Sequence, residues 1–278
     1  MRLLRTLCVL CVLCVLCVRL LDGCPIRPQR PVDLILTVAL GAALAGFVQG
    51  LSGFGFGLTA MAVWAWTLEP RLAASLSVFG ALIGQLLAAF TVRRGWDFKA
   101  LLPFIAGGLA GLPVGLYLLP RLDVPLFKGL LGAMLVIVCP LMFFASRLPR
   151  VNGGRAGDAL AGAAGGVMGG IGGFTGVVPT LWCTVRGFDK DRQRAIIQNF
   201  NLAMLVVTFT SYLATGILAP RMLPLLALVA VAVLVPVLLG TRVYLGISDI
   251  TFRKVVLGLL SASGIALLVS SVPVLLAR

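Results

Sequence analysis

Eight long stretches of this 278-residue sequence contain no charged residue. A helix that crosses the hydrocarbon core of a membrane needs about 20 apolar residues, with a range of roughly 17–25. Hydrophobic residues make up 60% of the chain and charged residues only 12%, whereas about 25% of the residues in soluble domains are charged. The sequence therefore predicts an all-α polytopic membrane protein, whose uncharged stretches are 34–68, 72–92, 100–120, 129–146, 159–185, 195–220, 222–241 and 255–277.

The titratable residues exclude several classes of function. The chain has no histidine and nine acidic residues, so it lacks the commonest metal ligand and the commonest general base. Its 23 lysines and arginines are scattered between the apolar stretches, whereas a nucleic-acid-binding surface gathers them on one face. We therefore expect no enzymatic activity, no metal or other cofactor and no nucleic-acid partner, and a lipid bilayer as the surroundings.

Two of the uncharged stretches are too long for one crossing. Stretch 34–68 has 35 residues and would form a helix about 52 Å long at 1.5 Å per residue; stretch 159–185 has 27 residues. Each contains a glycine cluster, at 50–57 and at 165–176. Glycine weakens a helix interior by about 1 kcal/mol and readily adopts positive φ. The clusters therefore predict helices that break near the middle of the membrane.

The two clusters open similar halves of the sequence. Residues 53–56 match residues 170–173 at an offset of 117, and Gly95 with Pro103 matches Gly216 with Pro224 at an offset of 121, which places Ser77 opposite Gln198. Residues 123–128 likewise resemble residues 249–254 near the end of each half. Such a shared order of matches indicates an internal duplication. We divide the chain into a first transmembrane repeat at 32–144, a linker at 145–158 and a second repeat at 159–278.

The distribution of basic residues predicts how the glycine stretches cross. With residues 1–31 set aside, the loops carry five lysines and arginines on one side and thirteen on the other if both stretches fold back. The counts are eight and ten if both cross once, so the positive-inside rule favours folding back. Each half then has four to five segments and is inverted relative to the other, with the linker in the cytoplasm. Trp64 and Trp182 fall near predicted segment ends, where an aromatic belt would lie.

The first 31 residues form a separate segment. Residues 8–18 repeat the triplet Cys-Val-Leu, which as low-complexity sequence carries no predicted function. Two arginines before an apolar run also resemble a signal segment. We expect 1–31 to be a leader or an extension from a start codon placed too far upstream.

The broken helices predict a binding site. A helix that begins after each glycine cluster presents free N–H groups and a partial positive charge to an anion, and matching breaks in two inverted halves point to a transporter's central site. Further uncharged polar residues near the clusters include Gln49, Thr59, Ser75 and Gln85. The alternative is that the glycines only allow close helix packing, and that the polar side chains only join helices. The candidate substrate-binding residues are Gly50, Ser52, Gly53, Gly55, Gly57, Ser77, Gly169, Gly170, Gly172, Gly173, Thr175, Gln198, Asn199 and Asn201.

The glycine motifs also resemble those of a known family. Residues 169–179, Gly-Gly-Ile-Gly-Gly-Phe-Thr-Gly-Val-Val-Pro, and the looser 50–57, Gly-Leu-Ser-Gly-Phe-Gly-Phe-Gly, are similar to the duplicated signature of the TauE/SafE sulfite-exporter family. The likeness covers about residues 32–275. In the first motif Phe56 stands where a glycine is usual, and Ala62 stands where the second has Pro179. The resemblance implies an inner-membrane permease for sulfite, organosulfonates or related organic anions.

Together these observations predict a multi-pass inner-membrane transporter that moves a small anion by alternating access of its two halves. A structural or assembly subunit without transport is the alternative, although such a subunit has no need of paired broken helices. A membrane-embedded enzyme would need a metal or acid–base group that the sequence lacks.

Overall fold

The computed structural model describes residues 31–91, 95, 97–145, 149–244 and 249–276, and all of the regular structure in them is helical. The leader predicted at 1–31 lies, but for Pro31, outside the described residues. Short 3-10 turns occur at Leu119–Arg121 and Pro220–Met222. The α-helices are α1 (Pro31–Ser52), α2 (Phe56–Trp64), α3 (Pro70–Thr91), α4 (Phe98–Leu118), α5 (Val124–Phe144), α6 (Gly154–Gly172), α7 (Val177–Val185), α8 (Lys190–Ala214), α9 (Leu223–Tyr244) and α10 (Asp249–Leu276).

Seven helices in the described part of the chain are long and apolar enough to cross a membrane. They are α1, α3, α4, α5, α8, α9 and α10. The prediction of an all-α polytopic membrane protein is therefore confirmed, and so is the prediction that the helices break within both glycine clusters.

Each broken segment folds back on itself. α2 and α7 have nine residues each, about 13 Å of helix, which is less than half of a hydrocarbon core about 30 Å thick. At the end of α2, Trp64 Nε1 donates a hydrogen bond to Thr37 O on α1, at 3.3 Å. At the end of α7, Trp182 Nε1 donates to Asp158 Oδ1 on α6, at 2.8 Å. The pairs α1–α2 and α6–α7 are therefore hairpins.

The placement of Trp64 in an aromatic belt is wrong. Its side chain is fully buried and lies edge-on to Phe56 at a ring separation of 6.2 Å. All residues of α2 except Val63 are buried. A short helix of this kind is stable at membrane depth only inside the protein, because lipid offers no hydrogen-bond partners to its ends.

Contacts between loops agree with the arrangement in which both stretches fold back. Asp97 and Arg192 form an ion pair at 2.9 Å, and the N–H of Val151 donates to Val185 O at 3.3 Å. These contacts gather three of the most basic loops at one end of the molecule. At the other end, Arg71 donates to Pro120 O at 3.1 Å.

The closest helix packing joins the two halves of the chain. α4 lies along α6, α1 lies along α9, and α5 lies along α10. The glycines at 107, 111 and 115 of α4 meet residues of α6 so closely that a Cβ on any of them would overlap the α6 backbone. Glycines 162, 166 and 170 of α6 pack equally closely on α4. Small residues at every fourth position permit this backbone-to-backbone approach in membranes.

α3 and α8 pack antiparallel, and so do α5 and α10. On α3, Gln85 contacts the first break while Phe79 stacks on Phe209 of α8. On α8, Gln198 lies beside the same break, eleven residues before Phe209. Gly129 and Gly132 of α5 meet residues near 271–275 and 264–268 of α10, in the same reversed order.

Candidate functional site

Glycines in left-handed conformation form both breaks. In the first, Gly53 (φ 76°) and Gly55 (φ 95°) lie between α1 and α2; in the second, Gly173 (φ 78°) follows α6 directly. Residues with a Cβ pay about 1–2 kcal/mol for this conformation. Gly53 and Gly173 each directly follow the long helix that leads into a break.

A small, partly open cavity lies between the two breaks. Both chain reversals line it, and Gly57 of α2 lies so close to the second break that its Cβ would stand 3.2 Å from Gly172 O and from Gly173 O. None of the described residues that line the cavity is charged. Its apolar wall includes Phe54, Phe56 and Phe174.

The first turn of α2 supplies hydrogen-bond donors to the cavity. The backbone N–H groups of Phe56, Gly57 and Leu58 have no hydrogen-bond partner among the described residues, and no side chain caps the helix at Gly55. α7 offers fewer donors, because the N–H of Val177 bonds to Phe174 O at 3.3 Å and Pro179 has no N–H. The positive end of α2 is therefore the stronger of the two.

Polar side chains complete the cavity wall. Asn201 is buried, its Oδ1 accepts a hydrogen bond from Thr175 at 2.9 Å, and its Nδ2 donates to no described residue. Gln49 is 3% exposed and donates from Nε2 to Ala81 O at 2.9 Å, while its Oε1 has no partner among the described residues. Unsatisfied buried polar atoms are costly in protein interiors, which is consistent with a ligand or water in this space.

The predicted site residues fall into three groups. Five line the cavity: Gly55, Gly57, Gly173, Thr175 and Asn201. Four support its wall: Gly53, Ser77, Gly172 and Gln198. Ser77 donates to Gly172 O at 2.8 Å, and Gln198 packs against Gly53. Five lie elsewhere: Gly50, Ser52, Gly169, Gly170 and Asn199.

Each residue of the last group has another contact. Gly50 packs on the backbone of α9 and Gly170 on that of Gly115, while Gly169 makes room for the Thr175 side chain. Ser52 is exposed and donates to Val48 O at 2.8 Å. Asn199 donates to Gly95 O at 3.1 Å. Some glycines of each cluster therefore serve close packing, as the alternative interpretation has it, and the others lie at the break.

Two polar side chains that line the cavity are absent from the predicted set. Gln49 and Gln85 lie on α1 and α3, and both line the cavity. Each spans 32 residues to bond a backbone oxygen, Gln49 to Ala81 O and Gln85 to Gly53 O. A glutamine in an otherwise apolar helix is the sequence signal that marks them.

The two breaks differ in exposure. Ser52 is exposed and Gly53 to Gly55 are half-buried, whereas every residue from Gly172 to Val177 is buried. The exposed edge of the cavity is therefore at the first break.

The chain matches the family model described as Sulfite exporter TauE/SafE over residues 38–267. Comparisons with curated proteins and with solved structures found no match. The family match covers most of the sequence and includes both breaks, all seven apolar spans in whole or part and the cavity between the hairpins. This protein therefore belongs to the TauE/SafE family of sulfite-exporter membrane permeases.

Proposed function

We propose that this multi-pass membrane transporter moves a small anion, such as sulfite or an organosulfonate, through the cavity between the two breaks. The observation that carries the proposal is the set of N–H groups at the start of α2 that have no partner among the described residues. They line a cavity whose described wall carries no charged residue. The candidate binding residues of this site are Gly55, Gly57, Gly173, Thr175 and Asn201, with Gln49 and Gln85.

The chemistry of the cavity suits an anion that must bind and leave. Backbone N–H groups and a helix N-terminus replace part of the water that a desolvated anion loses. Asn201 adds an N–H₂ donor at the same cavity. Because no arginine or lysine lines the described cavity wall, binding gains no full ion pair, and weak binding permits release. The aromatic walls from Phe54 and Phe174 suit a short apolar substituent on the anion.

We propose alternating access as the mode of transport and the inner membrane as the location. Antiparallel packing of α3 on α8 and of α5 on α10 supports two inverted halves, which place a site at their shared axis. The exposed first break and buried second break support a state that is open on one side.

We infer from the helix contacts which groups of helices would move against each other during alternating access. α4 packs on α6 and α9 packs on α1, through contacts so close that many Cβ atoms would overlap backbone. The moving units we propose are therefore α1–α3 with α9, and α6–α8 with α4, rather than the two halves of the sequence.

Uptake by everted membrane vesicles tests the proposed function. Vesicles that contain the protein should accumulate labelled sulfite or a labelled organosulfonate in a saturable manner, and control vesicles without it should not. Absence of uptake for every anion tested would overturn the proposal.

Variants of the breaks connect uptake to the site. Gly55→Leu forces a side chain into φ 95°, and Gly172→Leu places a Cβ 2.6 Å from the Phe174 ring. Both should abolish uptake while membrane insertion is retained. Gly258→Leu is the matched control, because Gly258 is exposed and no atom of the described residues lies within 4 Å of a Cβ at that position.

A further inference from the structure

Three backbone carbonyls at the C-terminal ends of the broken helices accept hydrogen bonds from side chains of other helices. Ser77 Oγ donates to Gly172 O at 2.8 Å. Tyr212 Oη donates to Gly170 O at 2.7 Å. Gln85 Nε2 donates to Gly53 O at 2.7 Å. The first two bonds cover the end of α6, and the third covers the end of α1.

These donors come from α3 and α8, which flank both breaks. Ser77 and Tyr212 are fully buried, and Gln85 is 1% exposed. The bonds join residues 95, 42 and 32 positions apart, so they depend on the assembled fold rather than on local turns. Each of these three side chains therefore bonds to a break and not to the helix that carries it.

The carbonyls need a partner for an electrostatic reason as well as a structural one. A helix ends in unpaired carbonyl oxygens with a partial negative charge, and begins in unpaired N–H groups with a partial positive charge. At a break the two ends lie only a few residues apart, so their fields oppose each other. Gly172 O is close to the cavity wall, because a Cβ on Gly57 would stand 3.2 Å from it.

We propose that Ser77 and Tyr212 are positioning residues for anion binding, because they occupy carbonyl oxygens at the end of α6 and leave the N–H ends of α2 and α7 to face the substrate. The inference rests on the proposed transport of an anion. Ser77 and Tyr212 are not among the residues that line the cavity, so they act through the backbone and touch no substrate.

The helices offer closely matched controls. Ser75 lies on α3 two residues before Ser77, is equally buried and donates over the same 2.8 Å, but to Arg71 O of its own helix. Thr208 lies on α8 one turn before Tyr212, is fully buried and donates over 2.7 Å to Met204 O of its own helix. These bonds have similar burial and length but do not reach a break.

The experiment measures KM and Vmax of labelled-sulfite uptake for Ser77→Ala and Tyr212→Phe beside Ser75→Ala and Thr208→Val. Loss of one buried hydrogen bond corresponds to a factor of about five to ten. We expect KM to rise by that factor in the first two variants, with Vmax per folded protein close to the wild type. KM should stay at the wild-type value in both controls, and Ser77→Thr, which keeps the hydroxyl, should restore it.

The outcomes separate this inference from the proposed function. If the wild type transports sulfite and all four variants share one KM, the positioning role is overturned and anion transport stands. The same holds if Ser77→Ala and Tyr212→Phe lower only the amount of folded protein, as a purely structural bond would. If the wild type transports no anion, both proposals are overturned.

Discussion

Trp182 donates its indole hydrogen to the Asp158 carboxylate at 2.8 Å, and this contact joins the end of α7 to the start of α6. Both oxygens of this carboxylate also accept hydrogen bonds from Arg186 Nη1, Oδ1 at 2.7 Å and Oδ2 at 2.8 Å. The Asp158 side chain is 7% exposed and the Arg186 side chain 19%. A largely buried ion pair therefore closes the second hairpin at its base.

Removing the arginine of this pair should destabilise the protein strongly. Arg186→Gln leaves the Asp158 charge buried without its cation, and such losses cost about 3 kcal/mol or more. Reversible unfolding in SDS measures the change in the free energy of unfolding. The ion pair of Arg192 with Asp97 is the comparison, because its side chains are 44% and 34% exposed; Arg192→Gln should cost less than about 1 kcal/mol. Equal losses in the two variants would contradict the role assigned to burial.

The glycine contact between α4 and α6 should not tolerate a methyl group. A Cβ on Gly166 would lie 2.8 Å from Gly108 C and 2.9 Å from Gly108 Cα. Backbone atoms cannot rotate away, so Gly166→Ala should separate the helices and cost about 1–3 kcal/mol. Gly258→Ala meets no atom of the described part of the chain within 4 Å and should gain up to about 1 kcal/mol from helix propensity. A melting temperature for Gly166→Ala at or above that of the wild type would contradict the packing described.

Two asparagines of one helix should differ in their effect on uptake. Asn201 lines the cavity with an uncommitted Nδ2, whereas Asn199 donates to Gly95 O away from it. A hydrogen bond to a charged group is worth about 1.5–3 kcal/mol, so Asn201→Ala should raise the KM for sulfite about ten- to a hundredfold. Asn199→Ala should leave KM unchanged, and a parallel rise in both variants would argue against the cavity as the binding site.

Two glycines in left-handed conformation, one inside the site and one outside it, should distinguish the effect of backbone strain from an effect on uptake. Gly53 (φ 76°) lies in the first break. Gly216 (φ 72°) lies after α8, and no described residue comes within 4 Å of its Cβ position. Alanine at either position should cost about 1 kcal/mol of stability, because both require positive φ. Only Gly53→Ala should also reduce the rate of uptake, since its Cβ would stand 3.2 Å from Gln198 Nε2. Loss of uptake in Gly216→Ala would show that strain alone accounts for the effect.

The sequence predicts the breaks well because they depend on local chemistry. Several glycines inside an overlong apolar stretch cannot sustain one helix, and the count of basic residues then favours hairpins. The residue at which the second helix ends is less predictable, since Gly166, Gly170 and Gly173 look alike in the sequence. Only contact with α4 distinguishes the first two as packing positions.

Other features depend on partners far along the chain. Nothing in the sequence of α4 indicates that it packs on α6, because helices that face lipid and helices that face protein have similar apolar compositions. Trp64 resembles an interfacial residue by position, yet α1 and α2 enclose it. Asn199 and Asn201 are two residues apart and so point in different directions around one helix, a distinction that requires the placement of α8.

The contact of α4 with α6 has a consequence for biosynthesis. Ribosomes complete α4 well before α6, and α1 long before α9, which ends at Tyr244. During insertion the glycine stripe of α4 must therefore remain in the bilayer without its partner, and α1 must wait for almost the whole chain. Neither half can reach its final packing alone, so the packing around the cavity is complete only after α9, the partner of α1, has been synthesised.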